Sequence, residues 1–139
     1  MTATLRDLLG HGMDDLSFCT VEYGAVPAFI EAGYFAPGTA RDCVVVGERE
    51  TLAADFGSSE VSVHENRHVL GAAGWQAPEG KARTFKATGA EPLRRELELF
   101  LDAARSGGVP RVDVAAGLTA LEAVEAAQRS SALGRRVTL

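Results

Sequence analysis

The feature that most constrains this chain is a change of hydrophobic period at Glu91-Pro92. Before it, apolar and polar residues alternate; after it, apolar residues recur at helical spacing. In Leu16–Tyr23 (LSFCTVEY), Leu16, Phe18 and Thr20 share one strand face and Ser17, Cys19 and Val21 the other. Residues 26–35 follow after only Gly24-Ala25, which predicts a hairpin. Pro27 cannot donate to a ladder and belongs at an edge or a bulge. Pro37-Gly38 marks a turn, residues 41–48 form the most apolar strand, and residues 51–56 form a short return strand. Residues 61–70 and 82–88 complete a sheet of about six strands, mostly antiparallel because the connections are short.

Beyond the boundary, Pro92 suits a first helical position, and Leu93, Leu97, Phe100, Leu101 and Ala104 follow at helical spacing. Ser106-Gly107-Gly108 ends that helix. Asp113 caps a second, in which Leu118, Leu121 and Val124 face inward until Gly134. Residues 136–139 (RVTL) suit a last short strand, and residues 4–13 a turn or two of amphipathic helix through Leu5, Leu8 and Leu9. The expected fold is α+β: a mostly antiparallel open sheet of about six strands with two C-terminal helices packed on one face. One domain spans residues 1–139, with a short N-terminal helix over 1–14, the sheet over 15–90, and the helices and last strand over 91–139.

A chain of 139 residues supports one such core. With 46% hydrophobic and 24% charged residues it reads as a soluble globular protein. The net charge of −5 argues against nucleic acid and anionic membranes as partners. No apolar run approaches the roughly 20 residues of a membrane helix. The N-terminus lacks the basic start and apolar stretch of a signal peptide, which predicts a cytoplasmic protein. Cys19 and Cys43 are too few for a disulfide scaffold and are expected as core thiols. A sheet covered on one side must hide its other face, which predicts a homodimer or higher homo-oligomer through that face.

The stretch EPLRRELELFLDAARSGGVPRVDVAAGLTALEAVEAAQRSSALGRRVTL resembles the end of the Gfo/Idh/MocA oxidoreductases, and EAGYFAPGTARDCVVVGERETLAADF resembles a strand pair of the same family. The resemblance covers residues 15 to 139. It implies the family's C-terminal α/β domain, whose open sheet builds an oligomer interface and one wall of a substrate pocket. No GxGxxG follows a strand, so no nicotinamide site is expected. The family's catalytic lysine has no counterpart, since Lys81 and Lys86 lie in other contexts. Asp7, His11 and Asp14 match the family's Asp-x-x-x-His-x-x-Asp helix.

On one helix face Asp7 could orient His11 as a general acid/base; the alternative is a solvated N-terminal helix. His64-Glu65-Asn66-Arg67-His68 spells HExxH, a zinc-hydrolase pattern when helical. The surrounding alternation reads instead as a strand, with Glu65 pointing away from both histidines. His64, Asn66 and His68 would then share one face as substrate-contacting groups. Tyr23, Tyr34 and Trp75 have apolar bodies and polar tips suited to lining a pocket, and Arg41 could join them; ordinary packing and a strand-end ion pair are the alternatives.

The candidate catalytic residues are therefore His11, Asp7, His64 and His68, and the candidate substrate-binding residues are Tyr23, Tyr34, Arg41, Asn66 and Trp75. Neither cofactor nor metal is expected. The reading is a cofactor-free, non-redox enzyme acting on a small-molecule substrate by cyclisation, isomerisation or rearrangement, in bacterial specialised metabolism. The alternative is a non-catalytic oligomerisation or substrate-binding subunit of a full-length oxidoreductase partner. A zinc hydrolase using HENRH is the third possibility.

Overall fold

The computed structural model describes residues 1–78, 80–89 and 91–139. Among the described residues nine strands precede two helices, and every strand pairing is antiparallel, as the short connections require. The α+β class holds, but the strands divide into ladders of three, four and two rather than one sheet of six. The chain forms two compact units, residues 1–36 with 91–139, and residues 37–90.

In the first unit, β1 (Thr2–Arg6) pairs with β2 (Leu16–Tyr23), and β2 pairs with β3 (Val26–Gly33). The two-residue loop Gly24-Ala25 closes the expected hairpin, with Gly24 at φ 60°, a region glycine enters without steric cost. The N-terminal segment corrects the sequence reading. Residues 4–13 form no helix: the backbone runs as β1 through Arg6 and then turns. Pairing with β2 along five register positions outweighs the weak helical periodicity of Leu5, Leu8 and Leu9. Gly10 and Gly12, at φ 72° and 85°, keep the turn from becoming helical.

Helix α1 (Pro92–Ser106) starts where expected, with the Glu91 carboxylate accepting from the Leu93 and Arg94 N–H groups. Gly107, left-handed at φ 67°, ends it. Helix α2 (Val114–Leu133) is capped by Asp113, which accepts from the Ala116 N–H at 2.9 Å, and ends at Gly134. Its inward face differs from expectation. Leu118, Leu121 and Val124 are exposed, whereas Ala126, Ala127 and Ser130 are buried against the sheet. Small side chains let the helix backbone approach β1 closely, and the core is Met1, Ala3, Cys19, Val21, Ala126 and Ala127.

That approach allows Ser130 Oγ to accept from the Ala3 N–H (3.0 Å) and Ser131 Oγ from the Leu5 N–H (2.9 Å). The free edge of β1 is thereby closed by hydroxyls instead of a further strand. Val137 exchanges two backbone bonds with Met1, at 2.8 and 3.0 Å, where a last strand over 136–139 was expected. Cys19 is the core thiol the sequence suggests, and burial pushes its thiol up; Cys43 is exposed on the surface.

The second unit holds β4 (Asp42–Val46), β5 (Glu50–Asp55), β6 (Glu60–Glu65) and β9 (Ala82–Lys86), in that order. It also holds a separate hairpin of β7 (Val69–Gly71) and β8 (Gly74–Gln76). The register puts Cys43, Val45, Leu52, Ala54, Val61, Val63 and Phe85 on one face of the four-stranded ladder, an apolar patch bounded at one end by the Arg83–Glu50 ion pair. The other face alternates Val44, Ala53, Ser62 and Thr84 with charged positions such as Asp55, Glu60 and Lys86. An antiparallel sheet with one apolar face needs that face covered. Among the described residues this unit contains no helix to cover it, and Cys43, Val45 and Phe85 are exposed.

Candidate functional site

Among the described residues, the turn after β1 brings Asp7, His11 and Asp15 together. Asp7 folds back over it: Oδ1 accepts from the Gly10 (2.6 Å) and His11 (3.1 Å) N–H groups, and Oδ2 from that of Gly12 (2.7 Å). Asp15 closes the other side, with its carboxylate fully buried and accepting from the N–H groups of Leu8 (3.0 Å) and Leu9 (2.9 Å). The Asp15 backbone is also engaged, its N–H donating to the Arg6 carbonyl and its carbonyl accepting from the Tyr34 N–H. Two carboxylates thus satisfy five donors of an irregular turn.

His11 lies between them, with Nδ1 at 3.8 Å from Asp7 and Nε2 at 3.9 Å from Asp15. The Met13 N–H donates to His11 Nδ1 at 3.3 Å. A neutral imidazole accepting at Nδ1 carries its proton on Nε2, on the side of Asp15. The expected proximity of Asp7 and His11 is therefore met on a turn rather than a helix, with Asp15 instead of the exposed Asp14 as second carboxylate. Sequence reasoning missed Asp15. The available signal was an acidic residue directly following a glycine-rich turn that must satisfy its own N–H groups.

One oxygen or nitrogen from each of Asp7, His11 and Asp15 falls within 4.8 Å of the others, a spacing that could hold a cation. All four carboxylate oxygens already accept backbone N–H groups, so the arrangement reads first as a lock on the turn.

The Gly12 N–H above all, with those of His11 and Gly10 and the charge His11 carries when protonated, holds the Asp7 carboxyl below the usual carboxylate range. Asp55 is held low in the same way by the Ser58 hydroxyl and the Gly57 and Ser58 N–H groups. Both folded values lie below the unfolded one. Their contribution is therefore present above the unfolded pKa and lost as pH falls through the folded value. Between about pH 5 and 2 the unfolding midpoint should fall, and it should fall less steeply in Asp7→Ala than in the parent. Urea titrations at stepped pH check this; parallel declines would show that Asp7 gains nothing from its donors on folding.

The HENRH segment forms no helix. His64 lies on β6 opposite Thr51 and Ala82, and His68 lies in the loop before β7. The one-turn spacing a zinc hydrolase requires is absent, because cross-strand pairing on both sides of β6 fixes the segment as extended. Asn66 closes a turn: Nδ2 donates to the Gly47 carbonyl, and Oδ1 accepts from the Thr51 hydroxyl, both at 2.7 Å. Its own N–H donates to the Arg49 carbonyl. Beside that turn is an open cleft of about 770 Å³ lined by Glu48, Arg49, Glu50, Glu65, Asn66 and Arg67.

Tyr23 ends β2 opposite Val26 and, like Tyr34, is exposed. Arg41 accepts from the Phe56 N–H through its carbonyl and makes no ion pair among the described residues. Trp75 is exposed on β8. The sequence-predicted set is thus spread over both units, with Asp7, His11, Tyr23 and Tyr34 in the first and Arg41, His64, Asn66, His68 and Trp75 in the second.

Residues 5–139 match the profile described as the oxidoreductase family, C-terminal alpha/beta domain, of the Gfo/Idh/MocA type. The solved structure of the oxidoreductase-assigned protein yvaA from Bacillus subtilis superposes with a TM-score of 0.73 at 16% identity. That likeness covers 99% of this chain and 44% of yvaA, so the chain spans less than half the length of that protein. At this identity the likeness is one of fold. No curated protein matches the chain.

Proposed function

The chain belongs to the Gfo/Idh/MocA oxidoreductase family through its C-terminal α/β domain, and from that premise we propose that it is an assembly domain. In this reading it self-associates through its apolar sheet face and lends one wall to a small-molecule site. One observation carries the reading. The chain presents 11444 Å² of accessible surface. A folded monomer of this mass presents about 6,900 Å², and two separate bodies the size of its two units about 8,300 Å² in all. On either count about 3,000 Å² or more is surplus, more than a standard interface takes from each partner. The surplus includes apolar side chains such as Val45 and Phe85 on the uncovered sheet face. Among the described residues no helix is long and apolar enough to cross a membrane.

A second reading has its own support. A cofactor-free, non-redox enzyme performing cyclisation, isomerisation or rearrangement would need a positioned acid/base, and His11 between Asp7 and Asp15 is the one candidate held by several neighbours.

Native mass spectrometry tests both. The assembly reading expects a homo-oligomer, and Val45→Glu should raise its dissociation constant at least tenfold while circular dichroism is unchanged. A protein that stays monomeric at high concentration would overturn it. A retained small organic ligand that is lost on His11→Ala would favour the second reading; a complex found only with a larger oxidoreductase would make the chain an accessory subunit.

A further inference from the structure

The hairpin of β7 and β8 stands apart from the rest of its unit in one respect: among the described residues its two strands pair only with each other. An isolated two-stranded ladder is marginally stable in water, so a partner seated on this hairpin would stabilise it. Leu70 and Trp75 face each other across the ladder and share one side, 68% and 73% exposed. The opposite side carries Val69, Gln76 and the glycine pair Gly71 and Gly74. One side is therefore a large aliphatic–aromatic pair, and the other carries the smaller Val69–Gln76 pair and two glycines. An exposed tryptophan with an exposed aliphatic neighbour is the type of residue that dominates binding energy once desolvated.

Resting on the assembly reading above, we propose that this hairpin is an anchor that inserts its Leu70–Trp75 side against the apolar sheet face of a second copy of the chain. Three features select a second copy. The chain itself carries the uncovered apolar face on which such an anchor can sit. Residues 69–76 contain no charged side chain, while the chain carries −5, so the anchor can approach an acidic copy without like-charge repulsion. The surplus of about 3,000 Å² per chain is large enough for a reciprocal contact in which each copy both gives and receives a hairpin.

Trp75 is the single tryptophan of the chain, so its emission reports the anchor directly. The intact protein is diluted through its oligomer–monomer transition while mass and tryptophan emission are recorded together. Emission should be blue-shifted in the oligomer and move to that of water-exposed indole on dissociation. Leu70→Asp, at a position 68% exposed, should raise the dissociation constant at least tenfold while circular dichroism is unchanged. An oligomer whose tryptophan stays water-exposed, or one indifferent to Leu70→Asp, would overturn the anchor and leave the assembly reading standing. A monomer at every concentration would overturn both, and a blue shift seen only on adding a different protein would assign the anchor to that partner instead.

Discussion

Replacing Asp15 by alanine should destabilise the chain by about 3 kcal/mol, read as a lower urea midpoint at unchanged slope. The magnitude follows from position. The Asp15 side chain has no exposed surface and accepts from two consecutive backbone N–H groups, those of Leu8 and Leu9. Each donor left without a partner costs about 1–3 kcal/mol where water cannot replace the lost oxygen, and the vacated volume adds a smaller cavity cost. Asp15→Asn separates these contributions. It keeps the volume and one accepting oxygen but puts an amide donor against a second donor, so it should recover less than half of the loss. Asp7 provides the contrast, because its three donors sit on the exposed side of the same turn and water can serve them. A loss on Asp15→Ala no greater than on Asp7→Ala would show that the turn is held from outside and that burial does not set the cost.

The same turn shows where sequence reading runs out. Signals confined to a few neighbouring residues were legible: Glu91-Pro92 and Gly107 bound α1, Asp113 and Gly134 bound α2, and Gly24-Ala25 closes the β2–β3 hairpin. Each is a local choice among backbone conformations and needs no distant partner. The misread parts all depend on residues far apart in sequence. Leu5, Leu8 and Leu9 have helical spacing, but the segment through Leu5 pairs with β2, and Ser130 and Ser131, more than 120 positions away, close its other edge by accepting the Ala3 and Leu5 N–H groups. Leu118, Leu121 and Val124 form the more apolar stripe of α2, yet the alanine side packs, since only small residues let the helix close onto β1. HENRH matched a helical motif letter by letter, while pairing of β6 with both β5 and β9 decided its backbone. The candidate site was half legible for the same reason. Asp7 and His11 lie in one short segment, whereas the importance of Asp15 comes from the donors it meets after the turn has closed.

The second large effect is expected at Ser130, where the two ends of the chain are joined. Its hydroxyl is fully buried, accepts from the Ala3 N–H at 3.0 Å and donates to the Arg135 carbonyl at 2.7 Å. Ser130→Ala removes an acceptor and a donor in one step. The Ala3 N–H is left on a buried strand edge and the Arg135 carbonyl loses its bond at the end of α2, for an expected loss of about 3 kcal/mol. Ser131→Ala is the internal control. Its hydroxyl serves the Leu5 N–H in the same way at 2.9 Å, but at a partly exposed position where water can take its place, so its loss should be about 1 kcal/mol. Ser130→Thr should fail for a different reason, since an added methyl has no room beside Ala126 and Ala127 in a site without exposed surface. Hydrogen exchange gives the residue-level check, because in Ser130→Ala the Ala3 amide should lose protection before the amides of β2. Equal losses for the two serines would mean that β1 is held by its ladder with β2 alone and that the hydroxyl closure of its edge is incidental.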